Sequence, residues 1–163
     1  SEMLQHAIGA SQRIMMNLRP PILEQGLVAA VRWLASGFER RTGASTTVRV
    51  ANEQMQVTSD VQLVAYRTTQ EALTNAAKYG SPSKVVIDLS DREGVLTLEI
   101  ADDGCGMSPE MRTKPKAFGL KGLQERARTV GGWLDISSQP GKGTCITLTV
   151  PITATAAHQT EEF

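Results

Sequence analysis

Three polar side chains recur at helical spacing in the middle of this chain, and together they could bind a metal-bound phosphate. Glu71, Asn75 and Lys78 stand at positions i, i+4 and i+7, so on an α-helix all three project from one face. Carboxylate and amide oxygens are hard ligands that can orient a Mg²⁺ shell, and a lysine ammonium is a point charge for phosphate oxygens. A solvated charged helix surface would show the same spacing, so this pattern needs support from the rest of the chain.

The residues around this motif predict a helix from Ser59 to about Gly80. Ser59 is followed three positions later by Gln62, a spacing typical of a reciprocal cap at a helix start. The side of the predicted helix away from the polar motif is expected to pack against the rest of the domain. Its members are Tyr66, Thr69, Leu73, Ala76 and Ala77.

The other elements follow from apolar periodicity and β-branched content. The predicted elements are a helical arm over 2–18, a helix over 24–41, strands over 46–51, 83–90, 96–100, 133–138 and 145–150, and a helix over 119–130. Residues 108–117 predict a loop. We therefore expect an α/β two-layer sandwich, in which a mixed, mainly antiparallel sheet of about five strands is covered on one face by three helices.

The composition allows one packed domain and excludes several kinds of partner. The chain has 163 residues, 40% of them hydrophobic, and 17 Lys+Arg balance 17 Asp+Glu, so no excess of positive charge favours nucleic acid. No apolar run approaches the roughly 18 residues of a membrane-spanning helix. The two cysteines, Cys105 and Cys145, are far apart, which favours free thiols in a reducing compartment over a zinc site. We expect this segment to be cytoplasmic, even if its parent is membrane-bound.

Glycine-rich stretches mark three further candidate contacts. Asp102 ends a predicted strand and is followed by Gly104 and Gly106, so the backbone could approach a flat ligand while the carboxylate accepts a hydrogen bond from an exocyclic amine such as that of adenine. Residues 119–122 (Gly-Leu-Lys-Gly) precede a helix, whose free N–H groups attract phosphate. Residues 141–144 (Gly-Lys-Gly-Thr) predict mainly a turn between two strands. Ordinary loops would explain each stretch equally well on its own.

The order of these stretches is far more specific than any one of them. Over about residues 59–151 the chain contains, in this order, E-x-x-x-N-x-x-K-Y, D-x-G-x-G, F-G-L-x-G-L and G-x-G-T. This series resembles the nucleotide-binding fold shared by sensor histidine kinases, gyrase B subunits, MutL-type repair proteins and Hsp-type chaperone ATPases.

Three local stretches extend the resemblance to sensor histidine kinases of the nitrate-sensor and hexose-phosphate-sensor type. They are residues 18–23 (LRPPIL), 66–75 (YRTTQEALTN) and 119–126 (GLKGLQER). That subgroup usually has Lys-His where this chain has Lys78-Tyr79.

The resemblance implies a role for each matching position. Asn75 and Glu71 would hold a Mg²⁺ ion, and Glu71 would also polarise the attacking group in catalysis, assisted by Lys78 at the phosphates. Tyr79 would lie against the base or ribose, and Asp102 would accept from the adenine amine. Residues 107–118 would form a lid. The remaining ATP-binding positions would be Gly104, Gly106, Met107, Phe118, Gly119, Leu120, Lys121, Gly122, Leu123 and Thr144.

The implied function is ATP-dependent phosphoryl transfer to a histidine on a separate dimerisation domain, in a homodimeric parent that signals to a response regulator. Residues 1–20 would be the end of the dimerisation helix, 21–151 the ATPase domain and 152–163 a tail. Neither His6 nor His158 is expected to be the phosphoacceptor, because His6 has no adjacent acid and His158 lies in the tail. Alternatives are an ATP-hydrolysing conformational switch of the same superfamily and an anti-sigma-type serine kinase.

Overall fold

The computed structural model describes residues 19–106 and 120–152. Its α-helices are α1 (Leu27–Thr42), α2 (Ser59–Asn75) and α3 (Leu120–Thr129), and its strands are β1 (Ser45–Val50), β2 (Lys84–Ser90), β3 (Val95–Asp102), β4 (Trp133–Ser138) and β5 (Thr144–Pro151). Short 3₁₀ turns cover Pro21–Gln25 and Arg92–Gly94. The predicted arm over 2–18, the loop over 108–117 and the tail from 153 onwards lie outside the described residues.

The five strands form one sheet in the order β1-β2-β3-β5-β4. β1 pairs with β2 in parallel, and the other three pairs are antiparallel. One row of the sheet aligns Ile87 with Ile100, Ile146 and Ile136 across four strands. The fold prediction, a mixed and mainly antiparallel sheet of about five strands with three helices, is confirmed.

The hydrophobic core lies between the helices and one face of this sheet. Alternate residues of the central strands are buried there, as Leu96, Leu98 and Ile100 are on β3. Side chains on the opposite face are more polar, and Arg49 forms a two-point ion pair there with Asp88, with Nε to Oδ1 at 2.7 Å and Nη2 to Oδ2 at 2.9 Å. The alternation seen in the sequence therefore reflects a sheet that helices cover on one face.

The first described helix begins later than predicted. The expected helix over 24–41 is interrupted at Gly26, whose φ of 100° lies outside the helical region, and α1 starts at Leu27. Residues 21–25 instead form a 3₁₀ turn that begins directly after Pro20, with Pro21 at its first position. The end was predicted correctly, because Gly43 adopts the left-handed conformation at φ 77° and its N–H donates to Glu39 O at 2.8 Å.

The second helix differs from its prediction at both ends. The capping side chain is Thr58, whose hydroxyl accepts from Val61 N at 3.5 Å, and Ser59 is already the first helical residue. At the other end the α-helix stops at Asn75 and continues as one π-helical turn, Ala76–Gly80, in which Ser81 N donates to Ala76 O at 3.1 Å. The expectation that Ala77 packs inwards was wrong, because this wider turn leaves it exposed.

Candidate functional site

A cleft lies between the end of α2, the end of β3 and the start of β5. Five of the predicted binding residues line it together with Ala76, Gly80 and Ile146: Asn75, Tyr79, Asp102, Gly106 and Thr144. The topology explains why residues so far apart in the chain meet here. Asp102 and Thr144 are directly opposite in the β3–β5 ladder, and the π turn brings Tyr79 and Gly80 over that end of the sheet.

The carboxylate of Asp102 is held in place by backbone donors. The N–H of Gly104 donates to its Oδ1 at 2.8 Å, and the backbone of Thr144 supplies a second hydrogen bond. Burial nevertheless raises the pKa of Asp102 above its ordinary value of 3.8, because desolvation of the charged form is the largest effect. The result is a half-buried, oriented hydrogen-bond acceptor that faces the cleft.

The neighbouring Asp103 organises the loop, a role that the sequence analysis missed. Its Oδ1 accepts from the backbone N–H groups of Ser83 and Lys84 at 2.8 and 2.9 Å, and its Oδ2 accepts from Ser83 Oγ at 2.6 Å. These hydrogen bonds lower the pKa of Asp103, and the one from the Ser83 hydroxyl has the largest effect. Asp103 thus ties the Asp102 loop to the segment that follows the π turn. The adjacent Asp-Asp pair was visible in the sequence, but its partners come from 19 and 20 residues away.

The glycines of this loop serve close backbone packing. A Cβ atom on Gly104 would lie 2.5 Å from the carbonyl oxygen of Gly80, and one on Gly106 would lie 2.0 Å from that of Gln139. The N–H of Cys105 also donates to Gly80 O at 2.8 Å. The expected reason for these glycines was access of a ligand to the backbone, whereas the contacts that require them here are between segments of the protein itself.

The three residues that are expected to contact phosphate or metal have different environments. The Asn75 side chain is only 8% exposed, whereas Glu71 is partly buried and Lys78 is exposed. Glu71 and Asn75 share one face of α2, but Lys78 lies in the π turn, so the i, i+7 argument for a common α-helical face does not apply to it. Within the described residues, neither Glu71 nor Lys78 has a hydrogen-bonding or ionic partner, which leaves both side chains able to meet a ligand.

The third glycine motif is only partly described. Leu120 begins α3, Lys121 and Gly122 are exposed in its first turn, and Leu123 is 2% exposed within the core. The side chain of Leu123 therefore packs in the hydrophobic core. The predicted positions Met107, Phe118 and Gly119 lie outside the described residues.

Comparison with known proteins identifies the family. Residues 60–154 match the family described as histidine kinase-, DNA gyrase B- and HSP90-like ATPase. The chain belongs to this family. It is 35% identical over 143 residues to the oxygen sensor histidine kinase NreB of Staphylococcus carnosus, and 29% identical over 153 residues to the histidine-protein kinase/phosphatase DegS of Brevibacillus brevis. These matches cover 87% and 93% of this chain, but only 41% and 39% of the two relatives.

Solved structures support the same fold. The histidine kinase domain of the blue-light activated kinase of Erythrobacter litoralis EL346 has a TM-score of 0.65 at 20% identity, covering 78% of this chain and 61% of that one. The catalytic domain of the histidine kinase ThkA has a TM-score of 0.63 at 16% identity, covering 78% of this chain and 91% of that one. The domain is thus a histidine kinase-type ATPase domain in both sequence and fold.

The donor set of this ATPase domain fits a Mg²⁺ ion that is shared with phosphates. No group of three or more His, Cys, Asp or Glu residues in the described part of the chain could hold a metal by itself. Mg²⁺ keeps most of its water and is usually bound through one or two protein oxygens plus substrate phosphates. The nearly buried Asn75 amide, one helical turn from Glu71, offers such a limited set.

The described walls of the cleft enclose little space on their own. The volume between them is about 20 Å³, whereas ligand pockets usually measure roughly 300 Å³ or more. A nucleotide would therefore lie against these walls and extend beyond them. A larger hollow, of about 910 Å³, lies near Arg19, the start of α1 and residues 53–57, but it contains none of the predicted site residues. Chemistry rather than volume makes the small cleft the candidate site.

Within the described ranges, no helix is both long and apolar enough to span a membrane.

Proposed function

We propose that this domain binds ATP with Mg²⁺ and transfers the γ-phosphoryl group to a histidine on a separate dimerisation domain, as the catalytic part of a two-component sensor kinase. The observation that carries the proposal is the position of Asp102. Its oriented, half-buried carboxylate lies in one cleft with Asn75 and Tyr79. These two residues belong to a different motif, which lies 23 or more positions before Asp102 in the chain.

The adenine end of the proposed site depends on Asp102. An exocyclic amine is a hydrogen-bond donor, and a carboxylate whose other contacts are backbone N–H groups can accept from it without moving. Thr144 lies directly across the ladder, and its Oγ1 is 2.8 Å from Ser138 Oγ. Tyr79, 40% exposed, also lines the cleft and would lie against the base or ribose. These contacts would select adenine and orient the phosphates towards α2.

The phosphate end of the site would be supplied by the last turns of α2 and the π turn that follows it. Asn75 would hold the Mg²⁺ ion, which neutralises charge on the phosphates when bound, and Lys78 would contact phosphate oxygens. A histidine ring nitrogen would form a bond to the γ-phosphorus as the bond to the bridging oxygen breaks, and ADP would leave. Glu71 would accept the proton of the other ring nitrogen. Catalysis on this scheme is mainly positioning and charge stabilisation.

The test is a calorimetric titration of ADP with Mg²⁺ into the wild type and Asp102→Asn. We expect saturable binding by the wild type and a loss of at least about tenfold in the variant, because an amide can present a donor to the adenine amine. Asp135→Asn is the matched control, since Asp135 is an exposed strand aspartate that does not line the cleft. No binding by the wild type, or equal binding by Asp102→Asn, would overturn the proposal.

Product analysis distinguishes phosphoryl transfer from the related activities. Phosphate release from ATP well above background, without any histidine-bearing partner, would favour a hydrolytic conformational switch. Transfer to serine would favour an anti-sigma-type kinase. The naming of NreB and DegS as histidine kinases supports transfer to histidine.

The proposed partners and location follow from the same scheme. The domain would act on the dimerisation and phosphoacceptor domain of its own parent, which would be a homodimer, and the phosphoryl group would pass on to a response regulator. We place residues 1–20 at the end of the dimerisation helix, 21–151 in the ATPase domain and 152–163 in a tail. The domain would work in the cytoplasm and would bind no nucleic acid, since its formal net charge is zero.

A further inference from the structure

The helix-covered face of the sheet ends in a row of polar side chains beside the cleft. In this end row Asp102 pairs with Thr144, and Thr144 pairs with Ser138, across β3, β5 and β4. Each of the three is two residues from an isoleucine of the row that crosses the sheet, so all three point to the same face as the core. Asp102 and Thr144 line the cleft itself, whereas Ser138 lies behind Thr144 and can act on a ligand only through it.

The hydroxyl of Ser138 lies between two oxygen atoms that differ in hydrogen-bonding capacity. Its Oγ is 3.2 Å from the carbonyl oxygen of Gly143 and 2.8 Å from Thr144 Oγ1. A carbonyl oxygen accepts but never donates, so the bond to Gly143 uses the single proton of the Ser138 hydroxyl. Both contacts are therefore hydrogen bonds only when Thr144 donates its own hydroxyl proton to Ser138.

The carbonyl of Gly143 is fixed by backbone packing. Gly143 is buried at φ 84°, and a Cβ atom there would overlap the carbonyl oxygen of Asp102. The same Gly143 carbonyl accepts from Gln139 N at 3.4 Å, which helps to close the turn between β4 and β5. The acceptor of the Ser138 proton therefore cannot turn away, and the fold sets the direction of both hydroxyl hydrogen bonds.

The result is that the end row presents acceptors to the cleft. With its proton directed to Ser138, the Thr144 oxygen can accept from a ligand but cannot donate to one. The carboxylate of Asp102, directly opposite Thr144, is an acceptor as well. Side chains opposite each other in a ladder are about 5 Å apart at Cβ, so both oxygens can face one ligand group. An amine at position 6 of a purine offers two N–H donors, whereas a carbonyl there offers none.

We propose that Ser138 is a positioning residue that makes the base end of the cleft selective for a 6-amino purine. Ser138 takes the proton of Thr144, and the base therefore meets acceptors from both Thr144 and Asp102. A 6-keto purine places its own carbonyl oxygen against these acceptors and is rejected. This rests on the proposed function and adds to it a residue outside the predicted site that sets the choice of base.

Calorimetric titration with ADP and with inosine diphosphate, each with Mg²⁺, tests this role. The two ligands differ in the amine or carbonyl at position 6 and in the proton that N1 carries beside the carbonyl. Ser138→Ala removes the group that takes the Thr144 proton, and Ser138→Thr keeps a hydroxyl there. Ser137→Ala is the matched control, because Ser137 is an exposed serine of the same strand that points to the opposite face.

We expect the wild type to bind ADP more tightly than inosine diphosphate. Ser138→Ala should lower the ratio of the two affinities about fivefold or more, because the Thr144 hydroxyl can then turn and donate to the carbonyl. Ser137→Ala and Ser138→Thr should keep the wild-type ratio. In a Thr144→Val background, Ser138→Ala should leave the ratio unchanged, since Ser138 acts through the Thr144 hydroxyl.

The outcomes separate this role from simple support of the turn. If Ser138→Ala weakened both ligands equally, or neither, Ser138 would not set base selectivity, and ATP binding would still stand. The same conclusion would follow if the wild type bound both ligands equally, or if Ser138→Ala still changed the ratio in the Thr144→Val background. Absence of ADP binding by the wild type would overturn the proposed function, and the role of Ser138 with it.

Discussion

Two adjacent aspartates in the loop after β3 have opposite environments. Asp102 is half-buried and its pKa is raised, with burial as the main cause. Asp103 is exposed and its pKa is lowered, chiefly by the hydrogen bond from the Ser83 hydroxyl. We propose that the first carboxylate accepts a hydrogen bond from a ligand, whereas the second fastens the loop that carries it. At the scale of single residues, proposed binding and structural support are thus divided between neighbours.

Nucleotide affinity should depend on the ionisation of Asp102. We expect the affinity for ADP with Mg²⁺ to fall as the pH is lowered through the raised pKa of Asp102, before the ordinary aspartate value of 3.8 is reached. Protonation removes the charge that strengthens the hydrogen bond to the adenine amine. Calorimetric titration at a series of pH values measures this, with a buffer control for proton uptake. Affinity that is constant until below pH 3.8 would contradict the prediction.

The same two residues should affect stability with opposite signs. Because the folded pKa of Asp102 is raised, its ionised form opposes folding, and this cost disappears as the pH falls through that pKa. Asp102→Asn should therefore raise the free energy of unfolding at neutral pH without nucleotide. Asp103, with its lowered pKa, stabilises the fold above its unfolded pKa and loses that contribution as the pH falls below about 3.8, so Asp103→Asn should lower the free energy of unfolding at neutral pH.

Urea unfolding of the wild type and both variants, from neutral pH to below pH 3.8, measures the two effects. If both substitutions changed the free energy of unfolding in the same direction at neutral pH, the two carboxylates would not have opposite effects on stability.

At the scale of secondary structure, the local sequence predicted the type of each element better than its ends. The strands and the helices α1 and α2 were predictable because the spacing of their apolar residues is visible over a few neighbouring positions. The break at Gly26 and the π turn at Ala76–Gly80 were not, because other conformations of the same residues are compatible with the pattern. The π turn places Tyr79 in the cleft, and it follows Asn75 directly.

The cap of α2 provides a test at this scale. Thr58→Ala should lower the free energy of unfolding by about 1 kcal/mol, because Val61 N loses its side-chain acceptor. Ser59→Ala should change it by less than about 0.5 kcal/mol, since Ser59 is helical and does not cap. Thermal or urea unfolding measures both. If Ser59→Ala lowered the free energy of unfolding more than Thr58→Ala, Ser59 would be the capping residue, as the spacing of Ser59 and Gln62 predicted.

At the scale of the whole molecule, one face of the sheet supplies most of the packing, and the end of its central strand carries the proposed binding site. The central strand β3 pairs with β2 and β5 along its length, and its buried residues lie beneath the helices. Asp102 is the last residue of that strand. The packed centre of the domain therefore ends at the proposed binding site, and this packing holds Asp102 in place relative to α2.

Substitution of two adjacent residues of β3 should show that one face of the sheet contributes more to stability than the other. Leu98→Ala should lower the free energy of unfolding by about 2–5 kcal/mol, because it leaves a cavity at a fully buried position. Thr97→Ala, on the more polar face, should cost no more than about 1 kcal/mol. Urea unfolding compares the two. Similar losses would mean that both faces are packed to the same degree, contrary to the arrangement described.

The sequence by itself determined the kind and order of the described α-helices and strands, the fold class and the order of the motifs, because apolar periods and turn residues act over a few neighbouring positions. Only the tertiary structure decided that Asp103 fastens Ser83 and Lys84 and that the glycines meet protein backbone. Those features are contacts between segments distant in the chain, and such contacts exist only once the sheet and helices have packed together.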